Sequence, residues 1–390
     1  MREVYLDYAA TTPTEMRVAE KMNSTYSNSY GNPSSIHAIG RRAKGYVEEA
    51  REIIADYIGA DAKEIYFTSG GTESDNWAIK GTAFALKDKG RHIITSCIEH
   101  HAILHSCEFL ENFGFDITYL PVDEYGSVEI SELKKAIRED TILISIMTAN
   151  NEMGTIQPIK EIGEIAKKKS ILFHSDAVQA LGSVPVNVNE MNVDMLSLSG
   201  HKIYGPKGIG IMYIKKGVKL EPFMHGGAQE FRQRAGTHNV TDIIGFAEAV
   251  KMLKENDKKY AEHYKTIRDY LYSRIKNEIE YVKLNGHSEK RLPNNLNISI
   301  GFVEGEALLM SLDMEGICVS TGSACSSGSL KPSHVAEALK IDDEFIHGTT
   351  RFTVGRMTTI DDIDYTVEKL KEVVTRLRAM SPLYKDRRKN

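Results

Sequence analysis

Residues 65–86 of the chain read IYFTSGGTESDNWAIKGTAFAL, which places a strand, a glycine-containing turn and a helix in succession. The apolar and aromatic run at 65–69 predicts a buried strand, and the pattern from Glu73 to Leu86 predicts a helix. The same alternation recurs as far as Ile214, with helices at 102–113 and 159–169 and with strands at 93–96, 116–120, 142–148, 171–175, 195–199 and 208–214. Strands that alternate with helices predict an α/β fold with a mostly parallel seven-stranded sheet.

The pattern changes after Thr241. A long helical stretch covers residues 243–279, with a predicted break near Asn256, and the remaining elements are a strand at 296–300, a helix at 305–312, a strand at 351–354 and a helix at 360–380. This order predicts a smaller α+β domain. We therefore expect a large domain over residues 15–250 and a small domain over residues 1–14 and 251–390.

Composition limits the kind of protein this is. A chain of 390 residues with 41% hydrophobic and 26% charged residues is typical of a soluble globular protein of about two domains. The formal net charge of −5 gives no support for direct nucleic-acid binding. The sequence shows neither an export signal nor an apolar stretch long enough to span a membrane, so we expect a cytoplasmic protein.

Four cysteines are too few for a disulfide scaffold, and none forms a C-x-x-C pair: Cys97, Cys107, Cys318 and Cys325. Residues 320–329 surround Cys325 with small residues, which predicts an uncrowded loop whose thiol could reach a ligand. An incidental exposed cysteine fits the same pattern. The other three are expected to be packing residues.

Three motifs together match the needs of pyridoxal phosphate, which are an anion site, a partner for the ring nitrogen and an amine that bonds its aldehyde. Ser69-Gly-Gly-Thr-Glu between a strand and a helix fits a phosphate cradle, although an ordinary turn fits too. Asp176 ends a predicted buried strand, where it could pair with a protonated ring or simply cap a helix. Lys202 follows another such strand and is a candidate for Schiff-base chemistry or a plain surface lysine.

Histidine and arginine supply further candidates. His100, His101 and His105 suggest a metal site, because positions 101 and 105 could share a helix face. No third ligand for that pair is evident, and a ring here could instead stack on a flat cofactor. Arg351 and Arg356 flank a short apolar segment and could hold a substrate carboxylate or form surface ion pairs.

Several longer stretches are specific enough to identify a family: Gly31-Asn-Pro-Ser-Ser-Ile-His, Thr68-Ser-Gly-Gly-Thr-Glu-Ser, Asn150-Asn-Glu-Met-Gly, His174-Ser-Asp-Ala-Val-Gln, Ser199-Gly-His-Lys, Arg234-Ala-Gly-Thr and Ser323-Ala-Cys. With them the chain resembles, over nearly its whole length, the cysteine desulfurases, which belong to the class V aminotransferases and to fold type I of the pyridoxal-phosphate enzymes. The long cysteine loop is similar to that of the nitrogen-fixation and iron–sulfur-cluster branch.

The resemblance implies a role for each residue. Lys202 would bond the cofactor and shuttle protons, His100 would stack on its ring, and Asp176 would pair with the ring nitrogen. Arg351 would bind the substrate carboxylate and Cys325 would accept the sulfur, whereas Arg356 has no clear role. Other contacts are implied for Gln179 and Asn151 (cofactor phenolate side or substrate) and for Gly71, Thr72, Ser199 and His201 (phosphate), joined by Thr237 of the partner subunit in a homodimer.

The implied reaction converts L-cysteine to L-alanine and leaves a persulfide on Cys325. The implied acceptor is an iron–sulfur scaffold protein, whose cluster the persulfide could touch, and the enzyme would hold no metal of its own. Rival interpretations are a selenocysteine lyase or an aminotransferase on the same fold, a sulfur donor to tRNA thiolation, and a sulfur-delivery scaffold without turnover. The short basic tail at 385–390, where such enzymes often have a longer docking segment, leaves the acceptor open.

Overall fold

A computed structural model describes residues 2–321, 332–382 and 384 of the chain. Its central sheet has seven strands, numbered along the chain, in the spatial order β2 (Ile65–Thr68), β8 (Gly210–Ile214), β7 (Met195–Ser199), β6 (Leu172–Asp176), β5 (Thr141–Ser145), β3 (His92–Ser96) and β4 (Asp116–Leu120). Strand β8 is antiparallel to both neighbours, and every other pair is parallel. The predicted mostly parallel seven-stranded sheet is confirmed.

Apolar side chains cover both faces of this sheet because neighbouring residues of a strand point to opposite sides. Ile94 and Ile144 belong to one buried cluster, whereas Ile93 and Leu143 belong to another. The helices of this part of the chain are α1 (Met16–Asn28), α2 (Ala38–Ile58), α3 (Gly71–Asn76), α4 (Thr82–Leu86), α5 (His101–Glu111), α6 (Ile130–Ala136), α7 (Ile159–Lys169) and α8 (Val188–Met191). The turn Trp77–Gly81 has π-helical geometry and joins α3 to α4, so the predicted helix over residues 73–86 is confirmed as one continuous segment.

The rest of the chain forms a second group of elements: α9 (Val240–Glu278), β9 (Val282–Leu284), β10 (Asn295–Ile300), α10 (Gly305–Met314), β11 (Ile317–Cys318), α11 (His334–Ala338), α12 (Asp343–Ile346), β12 (Thr349–Thr353) and α13 (Ile360–Met380). Strand β10 lies between β12 and β9 in an antiparallel sheet, and β1 (Val4–Tyr5) pairs in parallel with β11. The N-terminal segment therefore joins this second group, whose apolar core is a separate cluster.

Three sequence-based expectations differ from the structure. The predicted break near Asn256 is wrong, because α9 is continuous and the Asn256 side chain donates to the Met252 carbonyl one turn earlier (3.2 Å), so the residue is satisfied inside the helix. Helices α1 and α2 were not predicted. Cys318 is half-buried rather than a core residue, since β11 is a two-residue edge strand, whereas Cys107 is fully buried as expected.

Within the described residues, no helix combines the length and the apolar character needed to cross a membrane. The predicted loop around Cys325 and the basic tail at 385–390 lie outside the described residues, apart from positions 320 and 321.

Candidate active site

A cavity of about 350 Å³ opens where the parallel strands of the central sheet end. Open α/β sheets bind ligands at this edge, because the connections that follow the strands diverge there. The predicted residues that line it come from six different segments of the chain: Gly71, Thr72, His100, Asn151, Asp176, Gln179, Ser199, His201, Lys202 and Arg351. Folding thus brings together ten of the residues that the sequence singled out, which lie up to 280 positions apart in the chain.

The glycine turn after β2 forms one end of the cavity. Gly70 has φ 150°, a conformation that side chains rarely allow, and a Cβ on Gly71 would lie 2.7 Å from the Val178 side chain. The start of α3 therefore approaches the cavity with bare backbone, whose first N–H groups and positive dipole end favour an anion. The Thr72 hydroxyl and Ser199 line the same space.

Asp176 and Lys202 follow the neighbouring strands β6 and β7. Asp176 accepts a hydrogen bond from the Val178 N–H (2.9 Å). Burial raises the pKa of Asp176, whereas that bond and the positive charge of Lys202 lower it. The Lys202 ammonium donates to the carbonyls of Ala9 (2.6 Å) and Ala10 (2.8 Å), so the N-terminal segment positions the amine.

His100 caps α5 after β3. Its Nδ1 accepts from the Ala102 N–H (3.2 Å), which leaves the proton of a neutral ring on Nε2. Burial, followed by the charge of Lys202, lowers the pKa of His100 to about 4. The ring is therefore neutral near pH 7, and it can lie against an aromatic cofactor without adding a charge. His201 is neutral for the same two causes, and its Nδ1 lies 3.1 Å from the Thr11 hydroxyl.

Arg351, in β12, reaches the cavity from the second group of elements. Its guanidinium donates to the Asn151 carbonyl (2.9 Å) and pairs with Asp7 (2.8 Å). Its Nε is buried and has no hydrogen-bond partner among the described residues. Asp7 and Asn151 therefore hold a buried, positively charged fork at the cavity wall, which suits a carboxylate.

Gln179, Thr237 and Arg356 complete the set of predicted residues. Gln179 lines the cavity and donates to the Ala9 carbonyl (3.0 Å), whereas Thr237 is exposed and outside it. The Arg356 side chain is buried between the rings of Tyr204 and Tyr260, with its guanidinium carbon 4.1 and 4.0 Å from their centroids. It pairs with Glu15 (3.7 Å), so the predicted ion pair forms with a buried rather than an exposed guanidinium.

Acidic residues of the cavity wall were missed by the sequence analysis. Glu99 accepts from Ser96 (2.6 Å) and from the Met147 N–H (3.0 Å), and burial raises its pKa to about 8. Asp75 and Glu152 also line the cavity, and each has a buried oxygen without a partner among the described residues. All three stand beside or within motifs already noted, but only the fold shows that their side chains turn inward.

Histidine rings cluster at the cavity wall without metal-site geometry. The His101 ring lies 4.9 Å from that of His334 and 5.0 Å from that of His105, measured between centroids. Over residues 2–321, 332–382 and 384, no group of three or more His, Cys, Asp or Glu side chains is arranged to hold a metal ion.

The donor set fits pyridoxal phosphate. The bare helix start offers an anion site, the buried Asp176 can pair with a ring nitrogen, and Lys202 supplies an amine in the same cavity. The unpartnered Nε of Arg351 and the unpartnered Oε2 of Glu152 show that the wall is built for a polar occupant. The volume also lies within the range of small-molecule sites.

Known proteins match this chain along most of its length. The family model "Aminotransferase class-V" matches residues 4–366. A protein of Dictyoglomus turgidum named cysteine desulfurase IscS is 56% identical over 381 residues, which is 98% of this chain and 97% of that one. A protein of the same name from Methanosarcina thermophila is 54% identical, covering 98% of this chain and 94% of its own.

Solved structures of other proteins also match this chain along most of its length. A NifS-like protein is 40% identical, with a TM-score of 0.91 over 96% of this chain and all of that one. The protein SspA in complex with cysteine is 38% identical, with a TM-score of 0.82 over 91% of this chain and all of its own. The chain belongs to the class-V aminotransferase family and, within it, to the cysteine desulfurases of the NifS and IscS type.

Proposed function

We propose that the protein is a pyridoxal-phosphate-dependent cysteine desulfurase, which converts L-cysteine to L-alanine and transfers the sulfur to Cys325. The observation that carries the proposal is the convergence of Lys202, Asp176, His100 and Arg351 on one cavity. The curated relatives carry the name of this activity, and the related SspA was solved with cysteine.

The chain's own residues supply binding and proton transfer. Arg351 binds the substrate carboxylate, and the glycine turn with Thr72 holds the cofactor phosphate. Bound pyridoxal phosphate withdraws electrons from the substrate α-carbon. Asp176 would stabilise positive charge on the ring nitrogen, and Lys202 would hold the cofactor in the resting enzyme and move the α-proton.

Cys325 accepts the sulfur from the substrate. The Cys325 thiolate attacks the substrate sulfur, so an S–S bond forms as the C–S bond breaks. The electron pair of the broken bond stays with the carbon fragment, which takes a proton at its β-carbon, regains the α-proton from Lys202 and is released as alanine. The sulfur has been oxidised and the carbon reduced, so the step is balanced without a further redox partner.

A homodimer is part of the proposal, with Thr237 of each subunit reaching the cofactor phosphate of the other. Three successive residues just before it, Glu230 to Arg232, have positive φ values of 42°, 56° and 69°. The buried pair of Arg51 and Glu230 (2.8 Å) anchors this strained segment, and Phe231 within it is half exposed. This anchored segment, which presents an aromatic side chain to solvent, is the proposed subunit contact, and sedimentation of the purified enzyme tests whether the enzyme is a dimer.

The proposed organisation is a large domain over residues 15–250 and a small domain over residues 1–14 and 251–390. The separate apolar clusters of the two groups of elements support two domains, although Met252 and Leu253 of the first cluster lie just past residue 250. The acceptor is an iron–sulfur scaffold protein, in keeping with the IscS name of the relatives. The location is cytoplasmic, since the reaction requires Cys325 as a reduced thiol.

The test is incubation of the holoenzyme with L-cysteine and dithiothreitol, with alanine and sulfide measured together. A desulfurase releases the two in equal amounts. An aminotransferase would give neither product without a keto-acid acceptor, so the absence of alanine would overturn the proposal.

A further inference from the structure

Two carboxyl groups, those of Asp75 and Asp176, share the cavity wall. Asp75 lies in α3 and Asp176 ends β6, and both line the cavity. Asp75 is 1% exposed and Asp176 is 8% exposed. Ionisation of both members of a pair of buried, interacting carboxyl groups is energetically unfavourable, so one of them is expected to keep a proton.

The surroundings of Asp75 do not stabilise a negative charge. Its Oδ1 has no hydrogen-bond partner among the described residues and lies 3.8 Å from His174 Nε2, beyond hydrogen-bond distance. His174 is itself engaged by Ser145 at Nδ1 and by Ser197 at Nε2, both at 2.9 Å. Burial lowers the pKa of His174 to about 3, so the ring is neutral and offers Asp75 no compensating charge.

Asp176 has a backbone donor and a positive charge beside it. Burial raises the pKa of Asp176, whereas the hydrogen bond from the Val178 N–H (2.9 Å) and the ammonium of Lys202 lower it. For Asp75, burial and then the charge of Asp176 raise the pKa well above its usual range, which the smaller effect of Ser197 does not offset. When the two compete, the negative charge therefore resides on Asp176 and the proton on Asp75.

Neighbouring groups do not alter this assignment. Glu99 faces the pair as a third acid, and burial raises its pKa to about 8, so it is protonated near pH 7. The charged groups on the helical segment of Asp75 are engaged elsewhere, Glu73 with Arg234 (2.7 Å) and Lys80 with Asn76 (2.7 Å). The following groups on the surrounding elements have pKa values shifted toward the neutral form: His100, His101, Cys107, Tyr66 and Tyr213.

We propose that Asp75 is a positioning residue that carries a proton at the cavity wall and, by staying neutral, keeps the negative charge on Asp176. A second charge at Asp75 would drive Asp176 to take up the proton, and Asp176 could then no longer pair with a protonated ring. The inference deepens the proposed function, on which the role of Asp176 rests. The protonation of Asp75 itself is a property of the apo-protein.

Infrared spectroscopy of the apoenzyme near neutral pH tests the assignment. With ¹³C placed in the aspartate side-chain carboxyls, a protonated aspartic acid gives a shifted C=O band that separates it from Glu99 and Glu152. We expect this band in the wild type, its loss in Asp75→Asn, and its persistence in Asp176→Asn. A labelled wild type without the band would overturn the proposal, as would a band that is lost in Asp176→Asn and kept in Asp75→Asn.

The wild-type spectrum alone decides whether any aspartic acid is protonated, so the test survives a variant that fails to fold. A second readout is the pH dependence of folding. An acid whose pKa is raised in the folded state contributes less to folding stability as pH rises. Between the ordinary Asp pKa and the raised pKa, the folded-to-unfolded ratio falls about tenfold for each pH unit. The unfolding midpoint of Asp75→Asn should therefore gain on the wild type as pH rises above about 5, whereas the exposed control Asp88→Asn should not. Neither measurement uses cofactor or substrate, so its failure is distinct from failure of the desulfurase assay.

Discussion

Replacement of Arg351 by lysine tests how the cavity recognises its substrate. The change keeps the positive charge but removes the planar fork of N–H donors. Because the guanidinium is buried and already fixed by Asp7 and Asn151, the substrate carboxylate meets a preorganised donor pair. Lysine offers one donor in that direction, so one charge-assisted hydrogen bond is lost.

Such a bond contributes about 1.5–3 kcal/mol, which corresponds to a fall of about 10- to 150-fold in kcat/KM. We expect most of the loss in KM, because the carboxylate is bound alike before and during the reaction. Steady-state alanine production at varied L-cysteine concentration measures it. Arg378→Lys is a matched control, since Arg378 is also buried and donates to the backbone carbonyls of Gly301 and Glu280 away from the cavity. An unchanged KM in Arg351→Lys would refute the assignment of Arg351 to the carboxylate.

Further variants test the cofactor, the sulfur acceptor and the anchored segment. Lys202→Ala should remove the absorption band of lysine-bound cofactor, and a normal band would contradict its role. Cys325→Ala should keep that band but release neither alanine nor sulfide, so full alanine release would contradict the acceptor role. Glu230→Gln should lower the free energy of unfolding, measured by urea titration, by about 3–5 kcal/mol, because Arg51 is left without its buried ionised partner. The control Glu132→Gln, which breaks an exposed ion pair, should change the free energy of unfolding little. Burial opposes the shift, but hydrogen bonds from Arg51 lower the pKa of Glu230 to about 2, so this stability is present above the ordinary Glu pKa and is lost as pH falls through about 2.

The sequence predicted the central sheet well because its strands are short apolar runs bounded by glycine and polar turns. Strand bounds at Asp116–Leu120 and Met195–Ser199 and helix bounds at Ile159–Lys169 agree to the residue. Helices α1 and α2 were not predicted, and the break predicted within α9, at a polar stretch, was wrong. A long helix that contacts two apolar clusters, through Leu253 and then through Tyr264, is held by tertiary packing that local pattern does not reveal.

The site was predictable where a charged residue at the end of a buried strand has few possible roles, as with Lys202 and Asp176. It was not predictable where orientation decides. Asp75 and Glu99 look like ordinary helix and loop acids in the sequence, and only the fold turns them into the cavity wall. The contacts of Lys202 with Ala9 and Ala10 join segments about 190 residues apart, which no local pattern encodes.

Sulfur transfer to one thiol is the central claim, and mass spectrometry tests it most directly. The holoenzyme is treated with L-cysteine without reductant, digested, and its cysteine peptides are compared with those of the untreated enzyme. We predict a mass increase of one sulfur atom on the peptide that contains Cys325, reversed by dithiothreitol, with the peptides of Cys97, Cys107 and Cys318 unchanged. Alanine formation with no added sulfur on Cys325 would contradict the proposed mechanism.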